Sequence, residues 1–92
     1  MPTGEELRNR SLEHTKEFEQ ALARIHPNAR RADEFVDGAT WVLSRRPESG
    51  KQILPGSSVW FLPMKQDGIG IFYTFNEDRV WLLNISKSET PL

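Results

Sequence analysis

Seven side chains in this 92-residue chain could move a proton or hold an anion during a reaction: His14, His26, Glu48, Lys51, Lys65, Tyr73 and Lys87. Those residue types are what attack of a ribose 2′-hydroxyl on its phosphodiester requires, namely a general base, a general acid and cations that offset the charge of the phosphorane. Spacing narrows their roles. His26 follows a helical stripe into "HPN" and reads as a helix-end residue, while His14 stands just before a helix cap. Glu48 and Lys51 flank Gly50 in a loop, the kind of segment that often carries function. Arg45 and Arg46 close a helix, where cations suit the dipole. The two histidines have no third ligand at a metal-binding spacing, so neither a metal site nor a cofactor is expected. The glycines of "GIG", Gly68 to Gly70, enter a strand with no helix behind them and do not form a phosphate loop. With no cysteine in the chain, thiolate nucleophiles, disulfides and sulfur-ligated metals are excluded.

Those residues must be positioned by a small set of elements. "TKEFEQALARIHPN" reads as a helix capped by Thr15, with Glu17 and Glu19 in its first turn and Phe18, Ala21, Leu22 and Ile25 on one stripe, ended by Pro27. Ahead of it, Arg10 to His14 is open between a short strand and a helical extension, because Leu12 is its only large apolar residue. Asn28 caps a longer helix, "ARRADEFVDGATWVLSRR", whose buried stripe is Ala32, Phe35, Val36, Ala39, Val42 and Leu43 and which stops before Pro47. On this wheel Trp41 lies about 180° from Ala32, among Arg30, Glu34 and Asp37. It is either covered by the N-terminal segment or a loop, or an exposed anchor for a partner.

A loop from Pro47 to Ser58 follows, with Ile53 and Leu54 expected to tuck into the core. Then come three strands. "VWFLPM" contains Pro63, which cannot donate to a ladder and predicts an edge or a bulge. "IGIFYTF" alternates Ile69, Ile71, Tyr73 and Phe75 with Gly70, Phe72 and Thr74. "RVWLLNI" alternates Val80, Leu82 and Asn84 with Trp81, Leu83 and Ile85. Two helices and then three consecutive strands predict an α+β domain with the helices on one face of a three- to four-stranded antiparallel sheet.

A chain of 92 residues is one domain that buries roughly 60 to 65% of its unfolded surface. Residues 1–9 read as a flexible start and 88–92 as a tail. The beginning, "MPTGEEL", lacks the basic and apolar regions of a secretory signal, and no apolar run reaches membrane-spanning length. These features set an expectation of a cytoplasmic protein with no membrane partner. Residues 1–46 carry eight Lys/Arg and eight Asp/Glu, and residues 47–92 four and five. From Val59 to Ile85 the cations are Lys65 and Arg79, against Asp67, Glu77 and Asp78. That is a poor surface for phosphate.

The order of "TKEFEQAL", "LSRRPESGKQI" and "GIFYTFNEDRVWLLNI" resembles the RelE/ParE superfamily of small type II toxins, over Arg10 to Lys87. The resemblance implies a curved sheet carrying two helices, a bacterial toxin and a cognate antitoxin that wraps it. It also implies either ribosome-bound messenger RNA, as for the RelE branch, or DNA gyrase, as for the ParE branch, as target. The lysines that RelE-type nucleases place at alternate strand positions align with Trp60 and Leu62, an arginine aligns with Gly70, and another falls near Ser88. Lys87 is retained, and Tyr73 lies in the tyrosine-bearing part of the central strand.

The phosphate-binding cations are therefore mostly replaced by apolar residues, and the expected partner is protein. Either Trp60, Leu62 and Met64, or Trp81, Leu83 and Ile85, must lie on the sheet face that the helices leave open. Trp60, Leu62, Met64, Trp81 and Leu83, together with Trp41, are the candidate binding set. Two alternatives stay open: a non-catalytic dimer that uses the same surface, and an RNA endonuclease with Tyr73, Lys87 and Lys51 in altered roles.

Overall fold

The computed structural model describes residues 10–64 and 68–87. Its elements, in chain order, are β1 (Ser11–His14), α1 (Lys16–Ile25), α2 (Ala29–Arg45), a 3₁₀ turn (Pro47–Ser49), β2 (Lys51–Gln52), β3 (Trp60–Met64), β4 (Ile69–Phe75) and β5 (Arg79–Lys87). The expected flexible start and tail, the Lys65 to Asp67 part of the turn before β4, and Ser88 lie outside the described residues.

Both helices begin where their caps require. Thr15 Oγ1 accepts the N–H of Phe18 at 3.1 Å, and Asn28 Oδ1 accepts those of Arg30 and Arg31 at 2.9 and 3.2 Å. Phe18 and Ala21 on α1 and Phe35, Ala39 and Leu43 on α2 are buried against the sheet.

The sheet has five strands in the order β1-β5-β4-β3-β2 and is mixed. The expectation of a three- to four-stranded, wholly antiparallel sheet is corrected at both margins. Residues Ser11–His14 form a strand parallel to β5, with Ser11 beside Arg79 and His14 beside Leu82. At the other margin the loop after α2 contributes β2, which pairs Lys51 with Phe61 and Gln52 with Trp60. Because β2 is so short, β3 becomes an edge beyond Phe61, and Pro63 sits there, opposite Gly70 on its inner side. A missing N–H does no harm at that place. Leu54, expected in the core, is 66% exposed.

One irregularity changes which residues face the helices. In the β4–β5 ladder Phe72 opposes Asn84 but Tyr73 opposes Leu82, so β5 carries one extra residue at Leu83. A bulge of this kind turns the following residues over by one position. The buried positions of β5 are accordingly Val80, Leu82 and Ile85, rather than every second residue. Ile85, placed by strict alternation on the open face with Trp81 and Leu83, belongs to the core beside Ile71.

The β3 residues are corrected in the same way. Trp60, Leu62 and Met64 stand opposite Tyr73, Ile71 and Ile69, all of them buried on the helix side. Leu62 is buried, and Trp60 and Met64 pack against the core. The open-face residues of that strand are the ones between them, Phe61 and Pro63.

Candidate protein-binding face of the sheet

The side of the sheet away from the helices is built around a ring pair. Phe61 on β3 and Phe72 on β4 are in register, with centroids 4.8 Å apart and planes tilted by 52°. Gly70 makes room for them: a Cβ there would stand 2.2 Å from Phe61 Cζ. The phenyl ring thus lies over a strand glycine, covering backbone that no side chain of its own shields. Across the next strand Trp81 neighbours Thr74. Phe61, Phe72, Trp81 and Leu83 are all half-buried, so they form an apolar surface that remains in contact with solvent.

Among the described residues, charge on this face is sparse and sits at its margins. Arg79 Nη1 is 3.3 Å from Glu13 Oε2, and the β1–β5 register sets Glu13 beside Trp81. Lys51 lies in register with Phe61 at the opposite margin. Of the positions at which the resemblance aligns cations, Trp60 and Leu62 point to the helix side, and Gly70 lies beneath Phe61. Phe61 and Pro63, which do face outwards, are apolar as well.

Tyr73 occupies the helix side of the same sheet and is fully buried. Its hydroxyl accepts the N–H of Gly50 at 3.1 Å and donates to the carbonyl of Pro47. Burial, reinforced by the nearby charge of Glu48 and opposed by the Gly50 N–H, pushes its pKa up to about 12. The phenol therefore stays protonated at neutral pH and ties the 3₁₀ turn to the middle of the sheet. Trp60 and Phe75 continue this aromatic cluster, with Trp60 5.4 Å from Phe75. Arg10 lies over the Phe75 ring at 5.9 Å and donates from Nε to the Asn76 carbonyl at 2.8 Å.

The three residues singled out for catalysis are not brought together. Lys87 pairs with Ile69, four residues before Tyr73 on β4, a separation of about 13 Å along the strand. Lys51 belongs with Phe61 on the opposite side of the sheet. The histidines stand apart from all three. His14 Nδ1 meets Glu19 Oε2 at 2.9 Å and its ring lies 5.8 Å from that of Phe18, tying β1 to the first turns of α1. His26 ends α1 and rests 5.4 Å from Phe35. Among the described residues no group of three or more His, Asp or Glu could hold a metal ion. No described helix is long and apolar enough to cross a membrane.

Sequence reasoning missed Phe61 and Phe72 as the centre of this face. A usable signal was present in Gly70: a glycine inside an otherwise apolar strand, beside a strand with two adjacent aromatics, marks a site where a neighbouring ring approaches the backbone.

Comparison with known proteins gives the fold independent support. No protein-family model and no curated protein matches the sequence. Solved structures do. A chain of the toxin–antitoxin complex RelBE2 from Mycobacterium tuberculosis superposes with a TM-score of 0.72 at 18% identity, over 86% of this chain and 91% of that one. A chain of the chromosomal ParDE TA system from P. aeruginosa does so with a TM-score of 0.67 at 13% identity, over 87% and 97%. By architecture the chain shares the α+β fold of these two chains.

Proposed function

We propose that this chain is the toxin-like member of a bacterial, cytoplasmic toxin–antitoxin pair, and that it works by protein contact through the open face of its sheet. The observation that carries this reading is the Phe61–Phe72 pair lying over Gly70, extended by Trp81 and Leu83. A half-exposed aromatic cluster whose described charges, Glu13, Arg79 and Lys51, lie at its rim has the make-up of a protein interface core. The partner that fits is an amphipathic antitoxin segment that lays apolar side chains on those rings. Both similar structures described above are of toxin–antitoxin systems, which supports a partner of that kind. Trp60, Leu62 and Met64, facing the helices, shape this surface from behind rather than form it.

RNA cleavage is disfavoured by the same geometry. A buried tyrosine whose hydroxyl is engaged twice by backbone is poorly suited to proton transfer with a substrate.

Induction in a bacterial host, with growth followed, tests the proposal. Native protein should arrest growth, and Phe72→Asp, checked for soluble expression, should relieve the arrest. Growth equal to an empty-vector control would remove the toxin reading. Arrest accompanied by shortened transcripts, both abolished by a Tyr73→Phe, Lys87→Ala double variant that keeps cooperative thermal unfolding and soluble expression, would replace protein contact with RNA cleavage.

A further inference from the structure

Helix α2 turns Phe35, Ala39 and Leu43 to the core, and its opposite face carries a second, unused pattern. Glu34, Gly38, Trp41 and Arg45 follow one another at intervals of four, three and four residues. This spacing keeps all four on one narrow exposed stripe, with Gly38 at its margin towards Met64. All four are exposed, Trp41 by 63%. The indole has a neighbour on its own helix: the Arg45 guanidinium lies over its ring at 4.6 Å and donates from Nη1 to the Trp41 carbonyl at 3.1 Å.

Gly38 has no use within the chain. Its φ is not positive, and a Cβ added there would meet only Met64 Cε, at 3.9 Å, an ordinary contact. Glycine in a helix interior is nevertheless the poorest choice after proline. A gap on an outer helix face, one turn from a large exposed ring, has the form of a socket for another molecule.

We infer that α2 pairs with α2 of a second copy of this chain, antiparallel, about a two-fold axis that crosses the helix between Ala39 and Thr40. That axis sets Trp41 of each copy opposite Gly38 of the other, so a large ring meets a missing side chain twice. It also sets Arg45 of each copy opposite Glu34 of the other, so the charges match twice. Self-complementarity is the condition an isologous interface has to meet, and a stripe chosen for solubility alone has no reason to meet it in both size and sign. Close approach over glycine suits helices packed near the short end of the usual interaxial distance. Glu34 already lies 3.8 Å from Arg30 of its own helix and stays available to a second guanidinium. The pairing leaves the Phe61–Phe72 face of both copies free, so it stands or falls separately from the function proposed above.

Sedimentation velocity of the full chain over a wide concentration series tests the pairing. A reversible monomer–dimer equilibrium is expected. Gly38→Leu, which fills the socket, should weaken dimerisation at least about tenfold while the thermal midpoint of the monomer holds or rises, since leucine favours the helix. Glu34→Arg and Arg45→Glu should each weaken it, and the two together should restore it. A monomer at every concentration overturns the inference. So does a dimer that is indifferent to Gly38→Leu, or one that the double charge exchange fails to restore.

Discussion

The Tyr73 hydroxyl and the Gly50 backbone N–H, 3.1 Å apart, join the middle of the sheet to the turn that follows α2. The same hydroxyl donates to Pro47, so a single phenol fixes both ends of the 3₁₀ turn. Tyr73→Phe leaves the Gly50 N–H, part-buried, and the Pro47 carbonyl, buried, without this partner. We expect a loss of about 2–3 kcal/mol, measured by urea denaturation.

The raised pKa makes a second prediction about that residue. The unfolded phenol ionises near 10 and the folded one near 12. Below pH 10 both states hold the proton and the difference has no effect. Between the two values the unfolded state releases its proton and the folded state keeps it, so stability falls as pH rises through that window, by on the order of 2–3 kcal/mol. Tyr73 is the only tyrosine in the chain. Phenolate absorbance therefore reports it alone, with a higher midpoint in the native protein than in denaturant. Coincident midpoints would remove the burial argument.

Gly50 is glycine for want of space. Its backbone is extended, with φ −86° and ψ −160°, yet a Cβ would stand 2.5 Å from the Phe61 carbonyl oxygen and 2.6 Å from the Tyr73 hydroxyl. Gly50→Ala must displace backbone or break the phenol's hydrogen bonds. A cost of about 2–4 kcal/mol is expected. Gly38→Ala, in an open helical site, should by contrast raise monomer stability by about 0.5–1 kcal/mol. Comparing their thermal melts checks both.

The bulge on β5 predicts unequal roles for two residues that simple alternation would group together. Ile85→Ala removes a buried core side chain and should cost about 2–4 kcal/mol. Leu83→Ala trims a half-buried residue of the open face and should cost about 1 kcal/mol or less. Equal losses would show that the bulge does not set the facing of Ile85.

Thr15 links α1 to that bulge. Its Oγ1 accepts from the Phe18 N–H and donates to the Leu83 carbonyl at 2.9 Å. Thr15→Val keeps the shape and removes both bonds. A destabilisation of about 1–2 kcal/mol is expected, which at roughly 4–8 °C per kcal/mol is readable in calorimetry.

Much of this architecture is legible in the chain because it rests on local chemistry. Thr15 and Asn28 cap helices wherever they precede such stripes, Pro27 and Pro47 end them, and Pro63 announces an edge. The α+β class and the mismatch with a phosphate surface are read from the same short-range patterns and charges.

Long-range pairing and the facing of the strands come from contacts between distant parts of the chain. Arg10 to His14 carries too little pattern to declare itself, and it becomes a strand because β5, far along the chain, offers it a parallel ladder. Both faces of β3 are apolar, so periodicity cannot choose between Trp60, Leu62 and Met64 on one side and Phe61 on the other. The choice follows from register with Ile69, Ile71 and Tyr73, and in β5 from one extra residue at Leu83 that carries Ile85 inward. Caps and breakers act within a few bonds, whereas a sheet face is settled by which partner strand and which helix cover it with the larger buried surface.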